Sequence, residues 1–399
     1  MTFVLGQQVA WPVPPDWKRP VRETLAWRTD ILRAATGVTQ HRALRLVPRR
    51  SFAFEVVAEG QERRVADALV ADRGGRGDWA LPIWPDVQHL AAALPAESAT
   101  VPCITAHRDF VAGGRAMLWR SLRQWELVQV EGVLPGGLEL ATPTQQAWPA
   151  GTRLYPVRTA RLVDNAEESL WTDLAGRRGL TFAVEEPCDW PPQPPAATYL
   201  GHPVLQHASD ATEDGRASWS RQMAEADNDT APPFVADVAG RVFATVDHRW
   251  RLWGPAERAA FRGLLYALRG RQTPVWVPSG LQDLRATAPI TAASTALAVE
   301  WAGYTLYGRQ QPHCRDLRIV LHDGTAFMRR VTDSAVAGDG EVLQLDAPLG
   351  QLVQPGAIRR IEWMRLCTLA SDQIEIEHHH DLAGMARALT PFTAVLPDV

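Results

Sequence analysis

The sequence predicts a mainly β protein built as two tandem, similar sandwich or barrel modules, each with one short helix. Three observations carry this expectation. Residues 261–284, FRGLLYALRGRQTPVWVPSGLQDL, follow the plan of residues 65–90, VADALVADRGGRGDWALPIWPDVQHL: an apolar helix, an Arg-Gly stop, an aromatic and a Pro-led turn. Outside these stretches the apolar residues alternate in short runs separated by Gly and Pro, which is the period of a strand. The chain also holds 16 Trp and 30 Pro against 5 Tyr, a balance that suits short strands and rigid loops presenting large apolar contacts.

Taken in order, residues 11–22, WPVPPDWKRPVR, cannot be helical, because four prolines remove donors and hold the backbone extended. They read as an arm or edge segment. Leu25, Trp27 and Ile31 precede a break at Thr36-Gly37, and residues 43–47 and 51–57 alternate as strands. Residues 62–73 form a helix with Val65, Ala66, Leu69 and Val70 on one face and Gly74-Gly75 at its end. From 102 to 158 the pattern is again β: residues 125–133 alternate, Pro135-Gly136-Gly137 turns, 138–140 return, and 148–155 enter another strand. Residues 164–184 close the unit before the Pro-rich stretch 187–195, stiff and exposed by composition.

The second half replays the first. Trp27 matches Trp219, Arg50-Ser-Phe-Ala matches Arg241-Val-Phe-Ala (so Phe52 with Phe243), Leu138-Glu-Leu matches Leu343-Gln-Leu, Gly151 matches Gly356, and Asp173-Leu-Ala-Gly matches Asp381-Leu-Ala-Gly. Apart from a one-residue fall between the first two matches, the offset grows along the chain, as loop insertions between fixed elements would make it. The modules are therefore expected at 1–190 and 191–399, with the second helix at 255–269.

A chain of 399 residues suits two domains better than one core. With a net charge of −4 and no Lys/Arg run, it lacks the electrostatic footprint of a dedicated nucleic-acid binder. Cys103, Cys188, Cys314 and Cys367 lie far apart without a CxxC pair and read as free thiols. The first residues lack the pattern of a secretion signal and no run reaches about 18 apolar residues, so synthesis in a cytoplasm without membrane insertion is expected.

No stretch carries a nucleophile elbow, a phosphate-binding P-loop or a zinc-protease helix. The Asp210–Asp229 region is acidic but lacks calcium-loop spacing. His378-His379-His380 would place His378 and His380 on one strand face at ligand spacing. Their counterpart in the first half, SLWT, has no histidine, so the run reads as the end of a strand with a surface pair. Glu185, Glu186, Asp227, Asp229 and Asp237 could pair as carboxylates for glycoside hydrolysis, but they stand in polar, loop-like sequence. The expectation is a non-enzyme without metal or cofactor. Indole faces stacking on sugar rings supply an alternative, a carbohydrate-binding receptor-recognition protein.

At residues 27–54, WRTDILRAATGVTQHRALRLVPRRSFAF, followed by the helix, the Gly-Arg loop and the aromatic-Pro turn, the sequence resembles the distal tail and minor tail proteins of long-tailed bacteriophages and phage-like particles. The residues that carry the resemblance are Gly37, Gln40, Arg42, Arg45, Pro48, Arg49 and Trp84 in the first half and Arg269, Gly270, Arg271, Trp276, Pro278 and Asp283 in the second. The resemblance implies a structural virion protein of the tail tip, made in the bacterial host cytoplasm. Such a protein forms a homo-oligomeric ring that joins the tail tube protein to the hub, tape-measure and fibre proteins, with DNA only passing through the lumen. This chain departs from the pattern in holding two copies of the module, so three copies with pseudo-six-fold backbone symmetry stand beside six as the expected ring.

Overall fold

The computed structural model describes residues 9–75, 79–163, 167–379 and 384–395. It is mainly β, 49% strand and 11% helical, in large antiparallel sheets. Strand Arg49–Glu59 shows why: every second residue, Arg50, Phe52, Phe54, Val56 and Ala58, is buried, and the residues between face outward.

One pairing plan occurs twice. In the first half Arg49–Glu59 lies between Val21–Ala26 and Ala175–Val184. The latter leads through Arg153–Leu162 to Arg115–Ser121 and Gln124–Leu134, with Trp79–Pro82 along Arg153–Leu162. In the second half Phe234–Trp253 lies between Ala217–Ala226 and Met385–Ala394. That strand leads through Ile358–Leu369 to Asp316–Leu321 and Ala326–Ala337, with Val275–Pro278 along Ile358–Leu369. Small features recur with the plan. A register shift falls between Val130 and Gly132 and again between Val331 and Asp333. Val9 pairs in parallel with Trp79, and Val204 with Trp276. The turn into each helix, α1 (Gln61–Arg73) and α2 (Gly254–Leu268), is made by a glycine at positive φ, Gly60 at 52° and Gly254 at 71°, a conformation that side chains disfavour.

The pairings correct the residue correspondences. Phe52 stands opposite Phe182, and the residue opposite Phe392 is Val246, so Phe52 corresponds to Val246 and its match with Phe243 is out by three (246 − 243 = 3). Likewise Leu25 lies opposite Arg50 and Trp219 opposite Ala244, so Trp219 corresponds to Leu25 and not to Trp27. The two-residue slip of Trp219 keeps every side chain on its face, whereas the three-residue slip of Phe243 does not and rested on the short Arg-x-Phe-Ala match alone. The match of Leu138 with Leu343 agrees with the pairings. Residues 381–383 of the last match lie outside the described residues.

The boundary near 190 is not a break in the sheet. Val21–Ala26 is hydrogen-bonded on one side to Arg49–Glu59 and on the other to Gln373–His378 of the second half. Leu25 and Trp27 accordingly pack in one cluster with Trp250, Phe261, Leu265, Ile374 and Ile376. The stretch 11–22 is no free arm, since Trp11 is fully buried against Trp79 and Phe182. Nor is the Pro-rich stretch simply exposed: Cys188 is buried, the Trp190 indole donates to the Ala259 carbonyl at 3.3 Å, and the Gln193 amide donates to the Gly263 carbonyl at 2.9 Å. Both helices fall where expected, but α1 buries only Ala66, whereas α2 is buried along most of its length, its apolar face against Trp250, Val275 and Ile374 and its Arg258 and Arg262 against the first half.

Candidate functional site

The joint between the halves gathers most of the chain's buried charge. Glu23 faces inward on Val21–Ala26, between Val21 and Leu25, and is fully buried. It accepts from Arg50 Nε at 2.7 Å, from Arg262 Nη2 at 3.0 and 2.9 Å, and from His378 Nε2 at 2.9 Å. Arg50 continues to Asp109, which also receives Arg158. Arg258 on α2 donates to the Pro85 carbonyl at 2.9 Å and lies 3.4 Å from Asp86. Glu23, Arg50, Asp86, Asp109 and Arg158 thus come from the first half, and Arg258, Arg262 and His378 from the second.

Electrostatics keeps this network ionised. Burial alone would push the Glu23 carboxyl up, but the guanidinium groups of Arg262 and Arg50, with His378, hold it well below the usual carboxylate range. Asp109 is treated the same way, its burial outweighed by Arg50 and Arg158, and lies at about 2. His378 is pushed down by burial in spite of Glu23, so it stays neutral: Nε2–H donates to the carboxylate, and Nδ1 faces Arg258 Nη1 at 3.5 Å. A carboxylate fixed as an anion between arginines is a poor general acid or base and a strong positional lock.

A second set of contacts at the joint uses the motif residues. Arg269 is in the left-handed region and caps α2 with its amide on the Leu265 carbonyl. Gly270 follows at φ 66°, where a Cβ would lie 2.8 Å from that of Trp27. Asp372 ties the halves together, receiving the Thr29 amide at 2.7 Å, the Thr29 hydroxyl at 2.8 Å and the Arg271 amide at 2.9 Å. His41 Nδ1 bonds the Arg271 carbonyl at 2.6 Å. Gly37, at φ 82°, turns the hairpin of Thr29–Arg33 and Thr39–Ala43, on which Gln40 and Arg42 lie, and it abuts the Phe243 ring. Arg45 donates to the Ala26 carbonyl at 2.9 Å, Pro48 is buried and Arg49 begins its strand at the surface.

The remaining motif residues serve the cores. Trp84 packs edge-on to Tyr155 with ring centres 5.0 Å apart. Trp276 is buried with its indole on the Tyr199 carbonyl at 2.8 Å, Pro278 ends Val275–Pro278, and Asp283 receives the Trp363 amide at 2.8 Å.

The other candidates do not converge. His378 is a buried partner of Glu23 and not half of a surface pair; His379 is half-buried, and His380 lies outside the described residues. Among the described residues no group of three or more His, Cys, Asp or Glu is placed to share a metal ion. Glu186 accepts the Thr159 amide at 2.6 Å, Glu185 pairs with Arg161, Asp237 pairs with Arg221, and Asp227 and Asp229 stand exposed near the end of the Ala217–Trp253 hairpin. A cleft of about 290 Å³ opens beside the joint, lined by His107, Arg108, Asp189, Trp190 and Ala259. Among the described residues no helix is long and apolar enough to cross a membrane.

Sequence reasoning passed over Glu23, Arg50, Arg258 and Arg262. The signal was there, since Glu23 and Arg50 occupy core-facing positions of alternating strands, and Arg258 and Arg262 lie four apart on a helix. No family model matches the chain, and no curated protein does.

Proposed function

We propose that the chain is a structural ring subunit of the tail tip of a long-tailed bacteriophage or phage-like particle, joining the tail tube to the hub, tape-measure and fibre proteins. The observation that carries this reading is the recurrence of one pairing plan in two modules locked by a buried ionic joint. The motif residues that resemble distal tail proteins, Trp27 to Arg45 and Arg269 to Arg271, lie at that joint, where an assembly family would keep its positional residues. A tail tube of six-fold symmetry meeting a three-fold hub calls for a part that satisfies both, and three copies of a two-module chain do so. DNA passes through such a ring without being held, consistent with a net charge of −4.

Imaging of the purified particle, labelled on this protein, tests the reading: label in a ring at the tail tip supports it, and label elsewhere or none overturns it. The runner-up, glycan recognition, has one observation in its favour, the exposed indoles of Trp171, Trp219, Trp253 and Trp301. Glycan-array binding abolished by Trp219→Ala would favour that reading over a purely structural role.

A further inference from the structure

Val21–Ala26 is bonded on both edges, by Arg49–Glu59 and by Gln373–His378. Its counterpart in the pairing plan, Ala217–Ala226, is bonded, among the described residues, only to Phe234–Trp253. The counterpart of Gln373–His378 is Glu168–Leu170, which among the described residues is bonded only to Ala175–Val184. Each copy therefore has one completed joint and, elsewhere on its surface, the two separate edges of which a second such joint is made. Bare edges of this kind are templates for another strand.

The side chains agree. Arg22 lies opposite Ala53, which lies opposite Thr181; the Arg216 carbonyl accepts from the Asp247 amide at 3.0 Å, and Asp247 lies opposite Pro391. Thr181 and Pro391 each precede the matched phenylalanines Phe182 and Phe392, so Arg216 corresponds to Arg22. On the other edge, Ile376 faces Ala388 as Glu168 faces Arg178, so Glu167 corresponds to Glu375. In the completed joint Arg22 Nε lies 3.2 Å from Glu375 Oε1. Arg216 and Glu167 are both exposed and, among the described residues, make no ion pair. The apolar residues follow the same rule: Leu25 is 0% exposed inside the completed joint, while its counterpart Trp219 is 58% exposed, and on the opposite edge Trp171, next to Leu170, is 56% exposed.

We infer that residues 215–218 of one copy pair antiparallel with residues 167–170 of a second copy, Ala217 opposite Glu168, with Arg216 ion-paired to Glu167. The occupant of both edges is this same chain, head to tail, which is a heterologous contact that closes a ring or runs on as a filament. The contact adds a specific partner surface to the ring reading above. It rests on that reading only for closure.

The test uses the full-length chain and its mass in solution as a function of concentration, by light scattering and native mass spectrometry. Arg216→Glu and Glu167→Arg, each alone, place like charges together and weaken association on the order of tenfold or more, whereas the double variant restores it. Both positions are exposed, so the melting temperature of the monomer stays unchanged and reports that each variant folds. Wild-type assembly that ignores the single variants, or single defects that the double variant fails to repair, overturns the inference while leaving the ring reading standing. Assembly into open filaments with the expected charge-swap behaviour supports the inference and contradicts closure. A wild-type chain that stays monomeric at its solubility limit overturns both.

Discussion

Glu23 and Arg262 stand 239 residues apart in sequence and meet through two hydrogen bonds, 3.0 and 2.9 Å, with both side chains buried in the joint. The pair belongs to neither half alone. Removing one partner of such a pair leaves the other charge buried and unpaired, which costs far more than the pair contributes at a surface.

Glu23→Ala should therefore destabilise the whole chain by about 3–5 kcal/mol, since Arg50, Arg262 and His378 all lose their acceptor. Arg22→Ala, on the outward face of the same strand, should cost at most about 1 kcal/mol, because its ion pairs with Glu375 and Glu377 are half exposed. Denaturant unfolding of the two variants side by side checks the contrast, and equal effects would contradict it.

Stability should fall as pH drops from about 6.5 toward 4. His248 is buried beside His207 and Trp250, and burial pushes it down to about 3, so the folded chain refuses a proton that the unfolded chain takes near 6.5. The sign is that of a group with a lowered pKa whose charged form is disfavoured on folding: stability is lost below the unfolded value at up to roughly 1.4 kcal/mol per pH unit. His248→Gln should remove about that much slope. Asp109 acts lower: its contribution is full above about 3.9 and is lost as pH falls through about 2. Melting curves at stepped pH for the wild type and His248→Gln separate the two, and parallel curves would contradict the assignment.

Gly270→Ala should cost about 1–3 kcal/mol, through a backbone that side chains resist and a Cβ pressed on Trp27 and Asp372. Gly356→Ala is the control, because its Cβ meets nothing and its φ is not positive. Calorimetric melting of both gives the comparison, and a silent Gly270→Ala would mean that the contact with Trp27 opens freely.

Residues 196–399 expressed alone should behave poorly, since Ile374 and Ile376 lose the strand that carries Leu25 and the cluster around Phe261 opens. Dye binding to exposed apolar surface should be high and should drop when residues 1–195 are added. Two separately soluble, cooperatively melting halves would contradict the view that they share one core.

Much of the fold was legible because its signals are local. Alternation marks Arg49–Glu59, the spacing of Val65, Ala66, Leu69 and Val70 before Gly74-Gly75 marks α1, and Pro135-Gly136 marks the hairpin of Gln124–Leu134 and Gly137–Leu140. The joint was not legible, because it depends on the pairing of Val21–Ala26 with Gln373–His378, more than 340 residues away, and no local pattern encodes a partner at that distance. His378 shows the consequence. Within its own strand it reads as the start of a histidine run at a surface, and only the strand laid beside it makes it the neutral partner of a buried carboxylate.

Copy number tests the account most directly, because the proposed ring joins a six-fold tube to a three-fold hub through three copies of a two-module chain. Native mass spectrometry of the assembled protein, or a map of the particle that holds it, should give three copies, with the contact between chains resembling the contact within a chain. Six copies per ring, or a single copy hanging from the tail as a fibre, would contradict it.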